Sequence, residues 1–114
     1  MIYLAAPYND YDKAVIQDRM EKIYSVIARY TKEGTHVITP LFMHEVVTRH
    51  EIAGDYVFWE KYCLNLLWRC DKMLVLRLEG WDTSRGVLGE IEFCEKHNIL
   101  VEYIDVTTSE KEQK

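Results

Sequence analysis

The run Gly80-Trp81-Asp82-Thr83-Ser84-Arg85-Gly86-Val87-Leu88-Gly89-Glu90 holds the densest collection of groups able to do chemistry. A turn carrying Thr83, Ser84 and Gly86 just ahead of a helix offers hydroxyls, free backbone N–H groups and the positive end of the helix dipole, a combination that suits a phosphate. The same serine or threonine also serves as a plain helix N-cap with no ligand involved. Glu90 lies beside the apolar stripe Val87, Ile91 and Cys94. Its carboxylate either points into a cleft or is solvated on the helix surface, the commoner fate of glutamate. Glu92 and Glu95 fall away from its face.

Elsewhere, Tyr3 sits in an apolar run where its phenol either meets a carboxylate or fills a core. Trp59 and Trp81 offer flat surfaces for a ligand or simply fill space. His44 and His50 are too few and too irregularly spaced from carboxylates for a metal site, so no metal or other cofactor is expected. Asp71 closes a helix ahead of a strand and reads as structural.

Positioning these groups requires elements, and periodicity supplies them. Residues 2–6 form an apolar strand that stops at Pro7 and the turn-forming Asn9-Asp10. From about 11 to 32 apolar residues recur at helical spacing, and Gly34 suits a left-handed cap. A β-branched strand over 35–39 ends at Pro40, and 44–51 reads as a loop or irregular turn. A helix over 55–69, a strand over 72–78, a turn, a helix over 85–97 and a strand over 99–104 follow. The polar stretch 107–114 is expected to fray. Strands alternating with helices imply parallel pairing through right-handed crossovers. Ligands then gather at the carboxyl ends of the strands. Those ends are Ala6-Pro7-Tyr8, Pro40 to His44 and Glu79 to Gly86.

Composition narrows the function. At 114 residues with 48% hydrophobic and 29% charged side chains, the chain suits one domain burying about two thirds of its unfolded surface. Lys+Arg 14 against Asp+Glu 19 leaves a net charge of -5, which disfavours a nucleic-acid polymer or an anionic membrane as partner. No apolar run approaches the ~20 residues of a membrane span, and residues 1–6 lack the pattern of a signal peptide. Cys63, Cys70 and Cys94 are odd in number and form no Cys-x-x-Cys pair, which fits a reducing cytoplasm.

The order of motifs adds a resemblance. Ile2-Tyr3-Leu4-Ala5-Ala6-Pro7-Tyr8, Gly34 ahead of a strand ending Thr39-Pro40-Leu41, Cys70-Asp71-Lys72-Met73-Leu74-Val75-Leu76, then Gly80-Trp81 and Ser84-x-Gly86-Val87-x-x-Glu90 follow in sequence. Together they resemble the nucleoside 2-deoxyribosyltransferase-like superfamily, above all its small bacterial and phage members. The pattern is also similar to the deoxynucleoside 5'-monophosphate N-glycosidases. The resemblance spans nearly all of the chain up to about Tyr103 and implies one Rossmann-like (flavodoxin-like) α/β domain over 1–106. Its sheet would be mainly parallel, with four to five strands flanked by helices.

It further implies that Glu90 attacks the anomeric carbon of a nucleoside sugar while Tyr3 hydrogen-bonds and orients that carboxylate. An N-glycosidic bond breaks through an oxocarbenium-like state that an adjacent carboxylate can trap. Serine at position 84, where relatives acting on free nucleosides carry a carboxylate, implies a 5'-monophosphate substrate, with Ser84 and Gly86 on the phosphate and Arg19 or Arg85 as charge partners. The candidate substrate-binding set is Ala6, Pro7, Tyr8, Arg19, His44, Trp59, Cys63, Gly80, Trp81, Ser84 and Gly86, with Glu90 and Tyr3 catalytic.

Cys63 departs from the pattern, because the resemblance places an aspartate there. A thiol is mostly neutral at pH 7. Either another acid, such as Asp55 or Asp82, has taken the role, or hydrolysis is slow, or the protein binds a nucleotide or nucleotide-derived signal without cleaving it. A homo-oligomer is also implied, and the surplus of Tyr56, Phe58, Trp59 and Tyr62 on one helix fits an interface.

Overall fold

The computed structural model describes residues 1–106, so the stretch expected to fray, 107–114, lies outside the described residues. Four parallel strands, β1 (Ile2–Ala5), β2 (Val37–Ile38), β3 (Lys72–Leu76) and β4 (Leu100–Ile104), form one sheet in the order β2-β1-β3-β4. Four helices connect them: α1 (Lys13–Lys32), α2 (His44–Arg49), α3 (Tyr56–Leu67) and α4 (Arg85–Lys96). The α/β domain expected from the sequence is therefore present, with four strands, all parallel.

The strand order fixes which side each helix takes. The chain steps from β1 outward to β2, then back past β1 to β3 and onward to β4. Right-handed crossovers place helices of opposite steps on opposite faces. Accordingly Leu4, Leu74 and Leu76 meet Met20, Ile23 and Val26 of α1 on one face. Tyr3, Met73 and Val75 meet Leu67, Val87 and Cys94 on the other. Between β1 and β3 the direction of winding reverses, and a crevice opens at their carboxyl ends.

Local chemistry sets the element ends. Asp12 accepts a hydrogen bond from Ala14 N to start α1, and Gly34, at φ +82°, ends it while Thr35 N donates to Tyr30 O at 2.9 Å. This explains why β2 is two residues and not the expected 35–39. Thr35 is held in the helix cap, and the Thr39 hydroxyl accepts from Leu41 N to start a 3₁₀ turn, Pro40–Met43. That turn feeds directly into α2, so 44–49 is a helix and not the expected loop. Its Glu45–Arg49 ion pair (3.2 Å) spans one turn and helps hold it. Asp71, read as structural, holds the Met1 ammonium at 2.7 Å. No helix among the described residues is long and apolar enough to cross a membrane.

Candidate functional site

The crevice is an open cleft of about 880 Å³, within the range of small-molecule sites. Its floor comes from the α3/α4 face of the sheet. Val87, Glu90 and Cys94 are the buried residues of α4, spaced three and four apart, so Glu90 occupies a position on the stripe that otherwise takes an apolar side chain. Tyr3, fully buried on β1, points to the same face and donates its phenol hydrogen bond to Glu90 Oε2. This juxtaposition joins residues 87 apart in sequence.

Burial governs the electrostatics of this pair. Desolvation pushes the Glu90 carboxyl up from its ordinary 4.5 to about 7, with the Tyr3 hydrogen bond opposing the shift. Tyr3 itself is held well above the usual phenol range by burial and by the nearby carboxylate, so it remains a donor. The Cys63 thiol lies against both groups. Burial and the Glu90 charge push it up to about 12, so it is neutral across the physiological range.

One wall is the start of α4. The Ser84 hydroxyl accepts from Val87 N at 3.3 Å, the plain N-cap role. The first intrahelical bond is made by Leu88 N to Ser84 O, leaving the Arg85 and Gly86 N–H groups ahead of it. At Gly86 a methyl would meet only Ser84 Oγ, at 3.9 Å, so the fold does not require glycine there. The Arg85 guanidinium lies 3.6 Å over the Tyr56 ring.

The other walls come from the loops after β1 and β3 and from α2 and α3. Arg19 donates to the carbonyls of Tyr8 (3.3 Å), Asn9 (2.9 Å) and Glu79 (3.2 Å), tying the two loops together. These partners are neutral carbonyls, so Arg19 brings a positive charge to the rim. Gly80, at φ +91°, has its turn within 3.0 Å of Arg19 Nη2 at the point where a Cβ would sit. Opposite, the Tyr8 phenol and His44 Nδ1 are 2.6 Å apart. Ala6, Pro7 and Trp59 complete the enclosure.

The cleft thus gathers every residue of the expected catalytic and binding set except Trp81. Gly80 turns the chain so that Trp81 packs toward the sheet, its ring 5.5 Å from that of Tyr103, and it leaves the cleft. Asp82 is exposed and does not line the cleft either. Asp55 does line it, but its carboxylate accepts from Phe58 N at 2.9 Å as the N-cap of α3.

Sequence reasoning missed Glu60, which lines the cleft one helical turn before Cys63. Its three-residue spacing from Cys63 was the available signal. It also missed Gly54, where a Cβ would lie 2.6 Å from Phe58 and 2.8 Å from Trp59 Nε1, so glycine is what lets Trp59 seat. Among the described residues no group of three or more His, Cys, Asp or Glu side chains comes together as a metal site.

Residues 1–105 match the model of the family described as a domain of unknown function, DUF1937, and the chain belongs to that family. No curated protein matches the chain.

Proposed function

We propose that this member of the DUF1937 family cleaves the N-glycosidic bond of a (deoxy)nucleoside 5'-monophosphate, as an N-glycosidase or deoxyribosyltransferase with Glu90 as nucleophile. The observation that carries the reading is the buried Glu90 carboxyl on the cleft floor, held by the Tyr3 phenol. Among the described residues the hydrogen bond to that carboxylate comes from Tyr3, and the carboxyl lines a space sized for a nucleotide.

In the reaction a Glu90 oxygen attacks the anomeric carbon. The bond from carbon to the base nitrogen breaks, and its electron pair leaves with the base, which takes up a proton. A glycosyl ester of Glu90 remains. Water, or the nitrogen of a second base, then attacks the same carbon and returns Glu90 as a carboxylate. Tyr3 orients the attacking oxygen and stabilises the anion before and after. The phosphate is seated by the Ser84 hydroxyl and the N–H groups of Arg85 and Gly86, with Arg19 and Arg85 supplying positive charge. The proposal includes a homo-oligomer through the outer face of α3, where Phe58 and Tyr62 are exposed.

The test is incubation with a panel of nucleoside 5'-monophosphates and the matching nucleosides, with chromatographic detection of free base. Release that favours monophosphates is expected. A second reading, a nucleotide-binding module, is favoured by Cys63, a neutral thiol where the resemblance puts an aspartate. Thermal stabilisation by the same nucleotides without any base release selects that reading.

A further inference from the structure

We propose that Glu60 is the proton-transfer residue of this cleft, the second carboxylate that works opposite Glu90 across the glycosidic bond. The inference rests on the glycosidase reading and supplies what that reading lacks: a group to protonate the departing base and later to accept a proton from water.

The geometry singles out Glu60 among the acids of the cleft. Four carboxyl side chains line it: Asp10, Asp55, Glu60 and Glu90. Asp55 is committed to capping α3, and Asp10 accepts from Asp12 N at 2.9 Å on the exposed outer rim. Glu60 is half-buried on the cleft face of α3, and its charge is felt by the Cys63 thiol, which touches the Tyr3–Glu90 pair. The Tyr56 phenol, one turn earlier, stands beside the Glu60 carboxylate, and its hydroxyl donates to Arg85 O at 3.4 Å.

The packing of α3 on α4 brings this carboxylate to the α4 backbone at the residue before the nucleophile. A Cβ at Gly89, the residue directly before Glu90, would sit 3.1 Å from Tyr56 Oη and 4.0 Å from Glu60 Oε2. Because Gly89 has no side chain, Tyr56 and Glu60 reach the α4 backbone beside Glu90. A carboxyl pair flanking one bond is the arrangement that glycoside cleavage uses. The steps balance as follows. Glu60, as the acid, gives its proton to the base nitrogen while Glu90 bonds to carbon. Glu60, now a carboxylate, then takes a proton from the attacking water as Glu90 leaves, and both groups return to their starting states.

Glu60→Gln tests this, because the amide keeps the size but cannot transfer a proton. Two substrates are compared: a nucleoside 5'-monophosphate, and the 4-nitrophenyl glycoside of the same sugar phosphate, whose leaving group departs as a phenolate without a proton. General-acid loss is worth about 10²–10⁴-fold. Base release should therefore fall by about that factor, while the nitrophenyl substrate still gives a rapid burst of one equivalent. Azide, a nucleophile that needs no deprotonation, should then speed its turnover.

Equal losses on both substrates, with no azide rescue, would overturn the assignment and leave Glu60 a structural residue. An unchanged rate on the nucleotide would overturn it as well. If the parent protein releases nothing from either substrate, the glycosidase reading falls and this proposal falls with it. Parent activity with an indifferent Glu60→Gln removes this proposal alone.

Discussion

The two faces of the sheet are built to different rules. Toward α1, β1 and β3 contribute Leu4, Leu74 and Leu76, which meet Met20, Ile23 and Val26 in a layer of mostly aliphatic side chains. Toward α3 and α4 the same strands contribute Tyr3, Met73 and Val75, and that layer ends at the cleft in a phenol, a thiol and a carboxyl. A buried polar group costs free energy unless its hydrogen bonds are met, and a buried charge costs more. One face therefore holds the domain together, and the other gives up stability to keep a carboxyl out of water. Alternation along a single four-residue strand, with Leu4 on one side and Tyr3 on the other, divides the labour.

If that division holds, the largest functional effect comes from the polar face. Glu90→Gln should lower base release on the order of 10⁴-fold or more while leaving nucleotide binding within about tenfold, since the carboxylate acts in the reaction and not in affinity. Single-turnover base release and calorimetric binding check the two halves of the claim. Near-parental turnover would show that Glu90 is not the nucleophile. The matching experiment on the other face is Ile23→Ala. It should cost about 2–5 kcal/mol of stability in urea unfolding, as large-to-small core changes do. The KM of the molecules that remain folded should not move, and a shifted KM would break the separation of faces.

A smaller effect sharpens the comparison through pH. The Glu90 carboxyl is raised in the folded protein, from 4.5 to about 7, so between those values the folded state binds a proton that the unfolded state has released. The contribution of this group is then fully present below about pH 4.5 and is lost as pH rises through about 7. The loss amounts to about 3 kcal/mol. Glu90→Gln removes the titration, so the variant should be more stable than the parent at pH 8 and gain nothing at pH 4.5. Denaturant midpoints across that range check it. A parent whose stability rises between pH 5 and 8 by the same amount as the variant's would mean that Glu90 is not buried as a carboxyl. The same titration implies that base release rises as pH passes about 7, because only the ionised carboxylate attacks carbon.

The contrast also explains how much could be seen in the sequence. Strand-helix alternation made the fold legible, and the stripe Val87, Ile91 and Cys94 put Glu90 beside buried positions while leaving open whether its carboxylate entered a cleft or met solvent. What was not legible lay where one local interaction displaced another. Thr39 reads as a β-branched strand residue, yet its hydroxyl caps the 3₁₀ turn, which shortens β2. Trp81 reads as a flat surface for a ligand, yet the positive φ of Gly80 sends it toward Tyr103. Glu60 carried only its spacing from Cys63 as a signal, because its place in the cleft depends on Gly89, a residue on another helix whose missing side chain decides how close α3 can come.

The smallest expected effect is at Gly86, and it separates ligand binding from folding on the polar face. A methyl there meets only Ser84 Oγ at 3.9 Å, ordinary contact, and the position lies in the first turn of α4. Replacing a helical glycine by alanine stabilises by about 0.5–1 kcal/mol, worth a few degrees in Tm for a domain of this size. Without a ligand, then, Gly86→Ala should be slightly more stable than the parent. If a phosphate rests on the Gly86 N–H, the added methyl intrudes on that approach and weakens a charge-assisted hydrogen bond. The loss of one such bond is about tenfold in affinity. KM for a nucleoside monophosphate should rise by about that factor while KM for the matching nucleoside stays put, because the nucleoside has no phosphate to displace. Gly89→Ala is the control on the same helix, since there the methyl would press on Tyr56 Oη at 3.1 Å and should disturb both substrates alike. A Gly86→Ala protein that gains stability and keeps its relative preference for monophosphates would move the phosphate away from the start of α4. The serine at its N-cap would then be doing no more than capping the helix.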